Sequence, residues 1–157
     1  MRFFFNEFHQ TLLLNACGGR ALVKLVIVDD EPLYLQTTKE IMMAFDEEMD
    51  IQTSTSPVEA IELVRSSRPD CVISDYRMPE MDGVEFTRRL RESSGVPVIM
   101  CTSHFDEKVA EEAFKAGVND YVMKTSEAEH FIVLLKRIRN AVDMHRMELE
   151  IRRRSSE

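Results

Sequence analysis

From residue 24 onward the chain alternates five times between a short run rich in valine and isoleucine and a longer segment with helical spacing. The runs cover residues 24–28, 51–54, 71–74, 96–101 and 120–123. "KLVIV" is apolar at successive positions, as a strand buried on both faces requires, whereas "IQTSTS" is polar enough for an edge. Strands separated by helices pair in parallel and carry helices on both faces. The pattern therefore predicts an α/β fold, a doubly wound five-stranded parallel sheet of strand order 2-1-3-4-5. No internal repeat, low-complexity tract or linker divides it.

Local signals mark where the helices begin and end. Ser56-Pro57-Val58-Glu59 is a capping box with proline in the first turn, and Ser126-Glu127-Ala128-Glu129 reads as a second. Gly117 stops the helix that holds Val109, Ala113 and Phe114. Gly83 follows Asp82 in a turn that opens the helix holding Phe86 and Leu90. The last helix reads as residues 126–152, much longer than the others. Leu135, Val142 and Leu149 recur every seven residues within it, a weak coiled-coil seam. That seam leaves a homodimer contact, a partner helix, a connector to a further domain and a solvated end as readings.

The chain divides into an N-terminal extension at 1–22, a domain at 23–142 and an extended C-terminal helix or connector at 143–157. "MRFFFNEFHQTLLLNACGG" is interrupted by Asn6, Glu7, His9 and Gln10, which argues against a signal segment. It reads as a short amphipathic helix or as upstream sequence from a wrong start codon. A net charge of −8 argues against a general affinity for nucleic acid or anionic membrane, and no apolar run is long enough to span one. Arg152-Arg153-Arg154 reads as a short solvated run. Cys17, Cys71 and Cys101 have no metal-ligand spacing, so reduced thiols and a cytoplasmic location are expected.

Asp29 and Asp30 follow the first run and Asp75 follows the third. In the predicted order those strands are parallel neighbours, so the three carboxylates emerge at the carboxyl edge, at the topological switch point. Two carboxylates about 4 Å apart repel by roughly 4 kcal/mol at an effective dielectric near 20, so the cluster needs protons or a cation. Oxygen-only ligands with room for water suit Mg²⁺. The competing reading makes Asp30 a helix N-cap before Pro32 and Asp75 an ordinary loop residue. Thr102 and Lys124 end the fourth and fifth runs and reach the same rim. Cation, ammonium and hydroxyl around one carboxylate suit phosphoryl transfer, with Asp75 as nucleophile because its strand is flanked by the first and the fourth.

"VIVDDEP", "CVISDYRMPEMDG", "VIMCTS" and "AGVNDYVMK", in that order, closely resemble the receiver domain of two-component response regulators, a flavodoxin-like (βα)5 fold. The resemblance implies a switch rather than an enzyme, phosphorylated on Asp75 by a histidine kinase or histidine phosphotransfer protein. It implies Mg²⁺ on Asp30, Asp75 and the backbone carbonyl of Arg77, with Asp29 acting through water. Thr102 and Lys124 would bind the phosphoryl oxygens with backbone amides near Arg77 and Ser103. Tyr121 matches the aromatic that swings inward when the threonine moves, and the readout surface would be the fourth helix, fifth strand and fifth helix. Arg77 and His104 occupy positions that in the family adjust phosphoryl lifetime. One departure stands out: the family's lysine is followed by a proline in a cis peptide, and here Thr125 follows, so a trans bond is expected.

Two rivals fit the topology. A haloacid-dehalogenase-type phosphatase needs an acid two positions after its nucleophile, where Arg77 stands. A flavodoxin-like carrier needs a Ser/Thr/Gly-rich phosphate loop after the first strand, where "DDEPLYLQ" is acidic.

Overall fold

In the computed structural model, which describes residues 21–157, β1 (Val23–Val28), β2 (Met49–Ser54), β3 (Cys71–Ser74), β4 (Val98–Thr102) and β5 (Asp120–Met123) form one parallel sheet. Its order is 2-1-3-4-5, as the alternation predicts. The helices are α1 (Pro32–Phe45), α2 (Pro57–Ser67), α3 (Gly83–Arg91), α4 (Glu107–Ala116) and α5 (Ala128–Ser155).

Side chains of successive strand residues point to opposite faces, so the sheet divides its apolar residues between two cores. Leu25, Ile27, Ile73, Ile99 and Val122 pack with Leu35 and Met42 of α1 and with Phe131, Leu134, Ile138 and Val142 of α5. Val26, Val28, Val72, Val98 and Met100 pack on the other face with Ala60 and Val64 of α2, Phe86 and Leu90 of α3 and Ala113 of α4. The first core holds α1 and α5 against the face from which Asp29 and Lys124 continue their strands.

The caps follow their sequence signals with one exception. Ser56 accepts from the Glu59 N–H at 3.2 Å, and Asp82 accepts from the Glu85 N–H at 2.9 Å. Gly117 ends α4 in the left-handed region, with φ of 104°. The expected capping box at Ser126 does not form. The helix starts one residue later, with Glu127 as its N-cap and the Glu127 N–H donating to Thr125 Oγ1 at 3.4 Å. The fourth strand begins at Val98 instead of Val96, because Pro97 has no N–H for the ladder, although its carbonyl accepts from Val72.

The long last helix is present, but the heptad seam is not. Val142 is 1% exposed and Leu135 is partly buried, both within the α1–α5 core, so neither offers a face to a second helix. Burial follows His130, Phe131, Leu134, Ile138 and Val142, the spacing of a helix lying on a sheet. Arg139 reaches Asp46 and the Ala21 carbonyl, and Arg146 reaches Asp70 and the Leu22 carbonyl, which ties the helix to the body as far as Arg146. Met147, Leu149, Ile151 and Arg152-Arg153-Arg154 are exposed beyond it. No helix among the described residues is long and apolar enough to cross a membrane. The readings of residues 1–20, Cys17 included, lie outside the described residues.

Candidate functional site

The hydrogen-bond ladder of the sheet runs past the ends of its strands, and this places the site. The Asp29 N–H donates to the Ser54 carbonyl at 3.2 Å, the Asp75 N–H to Val28 at 3.0 Å and the Lys124 N–H to Thr102 at 2.8 Å. Three site residues are thereby fixed to a neighbouring strand at the carboxyl edge. Asp75 is also held from above: a Cβ at Gly83 would lie 2.2 Å from the Asp75 carbonyl oxygen, so only glycine lets α3 start there.

Asp29, Asp30 and Asp75 each offer a carboxylate oxygen, and these oxygens lie within 4.8 Å of one another. Asp29 and Asp75 are 1% and 9% exposed, whereas Asp30 faces solvent. The competing assignment of Asp30 as an N-cap fails. Glu31 is the N-cap of α1 without a side-chain cap bond, and its N–H goes to Asp29 Oδ1 at 3.0 Å. Oxygen donors from two buried acids and one water-accessible acid fit a hard divalent ion that retains waters, such as Mg²⁺.

Lys124 is the counter-charge. Its Nζ hydrogen-bonds Asp29 Oδ2 and lies 3.1 Å from Asp75 Oδ2. Burial alone would push the ammonium pKa down, but the hydrogen bond and charge of Asp29, with those of Asp75, outweigh it and hold Lys124 above its ordinary value. Burial pushes the Asp29 carboxyl up, against hydrogen bonds from Lys124 and the Glu31 N–H. One ammonium thus serves a surplus of acid, which is the electrostatic reason such a cluster attracts a second cation.

Tyr34 is the residue sequence reasoning missed. Lys124 Nζ lies over its ring at 4.1 Å from the centroid, and its hydroxyl sits 3.8 Å from Cys101 Sγ. The available signal was its place four residues after Asp30, in the first turn of the helix that follows the acids. Cys71 and Cys101 are both free and buried, and burial pushes each thiol up to about 12.

Thr102, Ser103 and Tyr121 have partners of their own. Thr102 is buried, and its Oγ1 accepts from the His104 N–H at 3.5 Å. Ser103 is exposed and pairs with His104 Nδ1 at 3.1 Å. Tyr121 is half-buried, donates to the His104 carbonyl at 3.3 Å and meets Phe105 edge-on. Arg77 is exposed in the loop between β3 and α3. The Lys124–Thr125 peptide is trans.

Comparison with known proteins agrees with this fold. The sequence model of the response regulator receiver domain matches residues 25–136. The chain is 36% identical over 107 residues to the protein-glutamate methylesterase/protein-glutamine glutaminase 1 of Pseudomonas aeruginosa, covering 67% of this chain and 29% of that protein. It is 31% identical over 113 residues to the transcriptional regulatory protein SrrA of Staphylococcus aureus, covering 72% of this chain and 46% of that one. It therefore spans less than half the length of these curated relatives. A response regulator receiver domain protein from Clostridium thermocellum superposes with a TM-score of 0.71 at 27% identity, covering 80% of this chain and 98% of that structure. The phosphatase reading finds no support. With the strand order, the acidic cluster and the family match in agreement, the chain belongs to the response regulator receiver domain family.

Proposed function

We propose that Asp75 accepts a phosphoryl group from a histidine kinase or histidine phosphotransfer protein in the cytoplasm, and that the chain acts as a switch rather than as an enzyme with a substrate of its own. The observation that carries this is the gathering of Asp29, Asp30, Asp75 and Lys124 at one sheet edge. An oxygen of Asp75 forms the new P–O bond while the P–N bond to the donor histidine breaks, and the electron pair leaves with the donor nitrogen. Asp30, Asp75 and the Arg77 carbonyl would hold Mg²⁺, with Asp29 reaching it through water. Bound there, the ion would neutralise charge on the transferring group. Lys124 meets one phosphoryl oxygen and Thr102 another, with the backbone N–H groups near Arg77 and Ser103 beside them.

The switch follows from contacts that differ between two states. Thr102, drawn toward the phosphoryl group, vacates space beside β5, and Tyr121 gives up its bond to the His104 carbonyl to fill it. Phe105, Phe114 and Met123 stand 61%, 50% and 47% exposed around α4 and β5, an apolar surface for an output partner or attached domain. Residues 143–157 serve as an extended C-terminal helix or a connector.

Acetyl phosphate with Mg²⁺ should add one phosphoryl group to the wild type and none to Asp75→Ala, read by intact-protein mass spectrometry. Equal labelling of the mutant would reject Asp75 as the acceptor.

A further inference from the structure

We infer that Tyr34 is a positioning residue for Lys124, holding the ammonium in place once a divalent ion has taken over the carboxylates. The inference rests on the phosphotransfer reading above. In the described structure Lys124 has three partners: Asp29, Asp75 and the face of the Tyr34 ring. The two acids are also members of the oxygen cluster that fits a cation. Any ion settling among them competes for their charge and weakens what they offer the ammonium. The ring is no ligand for a hard cation, so its contact survives.

The geometry makes that contact effective. An ammonium over an aromatic face is attracted by the ring quadrupole, more strongly where water is excluded, and the Lys124 side chain is 11% exposed. Tyr34 is itself fixed. Its neighbour Leu35 anchors α1 in the core, and its hydroxyl contacts Cys101 on β4. A lysine carries four rotatable stem carbons, and without the ring the ammonium would be free to turn to solvent when the acids release it. With the ring, it waits beside Asp75, where the incoming phosphoryl oxygens need it.

The test separates this idea from the phosphotransfer reading. In the wild type, NMR should find the Lys124 ε-methylene protons shifted upfield by the ring, and the shift should persist at saturating Mg²⁺. Tyr34→Leu should abolish it, and Tyr34→Phe should retain it. At saturating Mg²⁺ the rate of acetyl-phosphate labelling should fall about fivefold in Tyr34→Leu and stay within about twofold in Tyr34→Phe. Mg²⁺ affinity should be unchanged in both, because the ring touches no metal. A wild-type shift that vanishes on adding Mg²⁺ overturns the proposal, as does a Phe variant that keeps the shift yet is as slow as the Leu variant. These NMR outcomes are read without any phosphoryl transfer. Absence of labelling in the wild type would instead sink the phosphotransfer reading, and Tyr34's part in it, while leaving the resting contact measured.

Discussion

Asp75 is held by its backbone as firmly as by its charge. Its N–H is bonded to β1, its carbonyl lies against Gly83, and the Gly83 N–H donates to the Tyr76 carbonyl at 2.8 Å. A methyl group at position 83 has to displace backbone rather than a flexible side chain. Gly83→Ala should therefore cost about 3 kcal/mol of stability, measured by urea denaturation, and should slow labelling of Asp75 more than Mg²⁺ binding. The gathering of Asp29, Asp30, Asp75 and Lys124 was legible residue by residue, because each follows an apolar run. Tyr34 was not. Its spacing from Asp30 puts it in the first turn of α1, but whether its ring covers Lys124 depends on how α1 seats on the sheet.

The helices divide into parts that hold the fold and parts that extend from it. Arg91, at the end of α3, donates to the carbonyls of Ser94, Val96 and Gly117 and to Asn119, which ties α3 to the turn between α4 and β5. Within α5 the buried stripe ends at Val142 and the ties to the body end at Arg146. Val142→Ala should lower stability by about 2 kcal/mol, since it opens a cavity in the α1–α5 core. Ending the chain after Arg146 should change it by no more than about 0.5 kcal/mol, since the residues removed are exposed apart from Glu150. Thermal or urea melts of the two variants check both values. Periodicity found the helix but offered part of its inner stripe as a weak coiled-coil seam. A seven-residue repeat and a sheet-facing stripe share Val142, and only the position of the sheet tells them apart.

For the whole molecule, three acids gather at the edge of a sheet, two of them paired with one ammonium, in a chain of net charge −8. An ion that binds the folded cluster and not the unfolded chain stabilises the fold by mass action, by about 2.7 kcal/mol at a hundredfold excess over its Kd. Mg²⁺ should therefore raise the melting temperature, and a chelator should reverse the rise. Asp30→Asn should abolish most of the gain with little effect on the metal-free protein, because Asp30 is exposed. Differential scanning calorimetry with and without Mg²⁺ checks this. Equal melting temperatures for the wild type would remove the metal from the site.

The sequence by itself determined the five strands, their parallel order and the carboxyl-edge location of the site. Those properties are legible from local patterns: apolar runs along strands, apolar spacing along helices, and glycine or serine at helix ends, with the more polar second strand marking the edge. Tertiary structure alone decided that Lys124 rests between two acids and an aromatic ring, that Gly83 must admit the Asp75 carbonyl, and that Val142 faces inward. Each of those contacts joins residues distant in sequence, and each depends on which side chain burial brings against which, a sum over the packed whole that no local pattern contains.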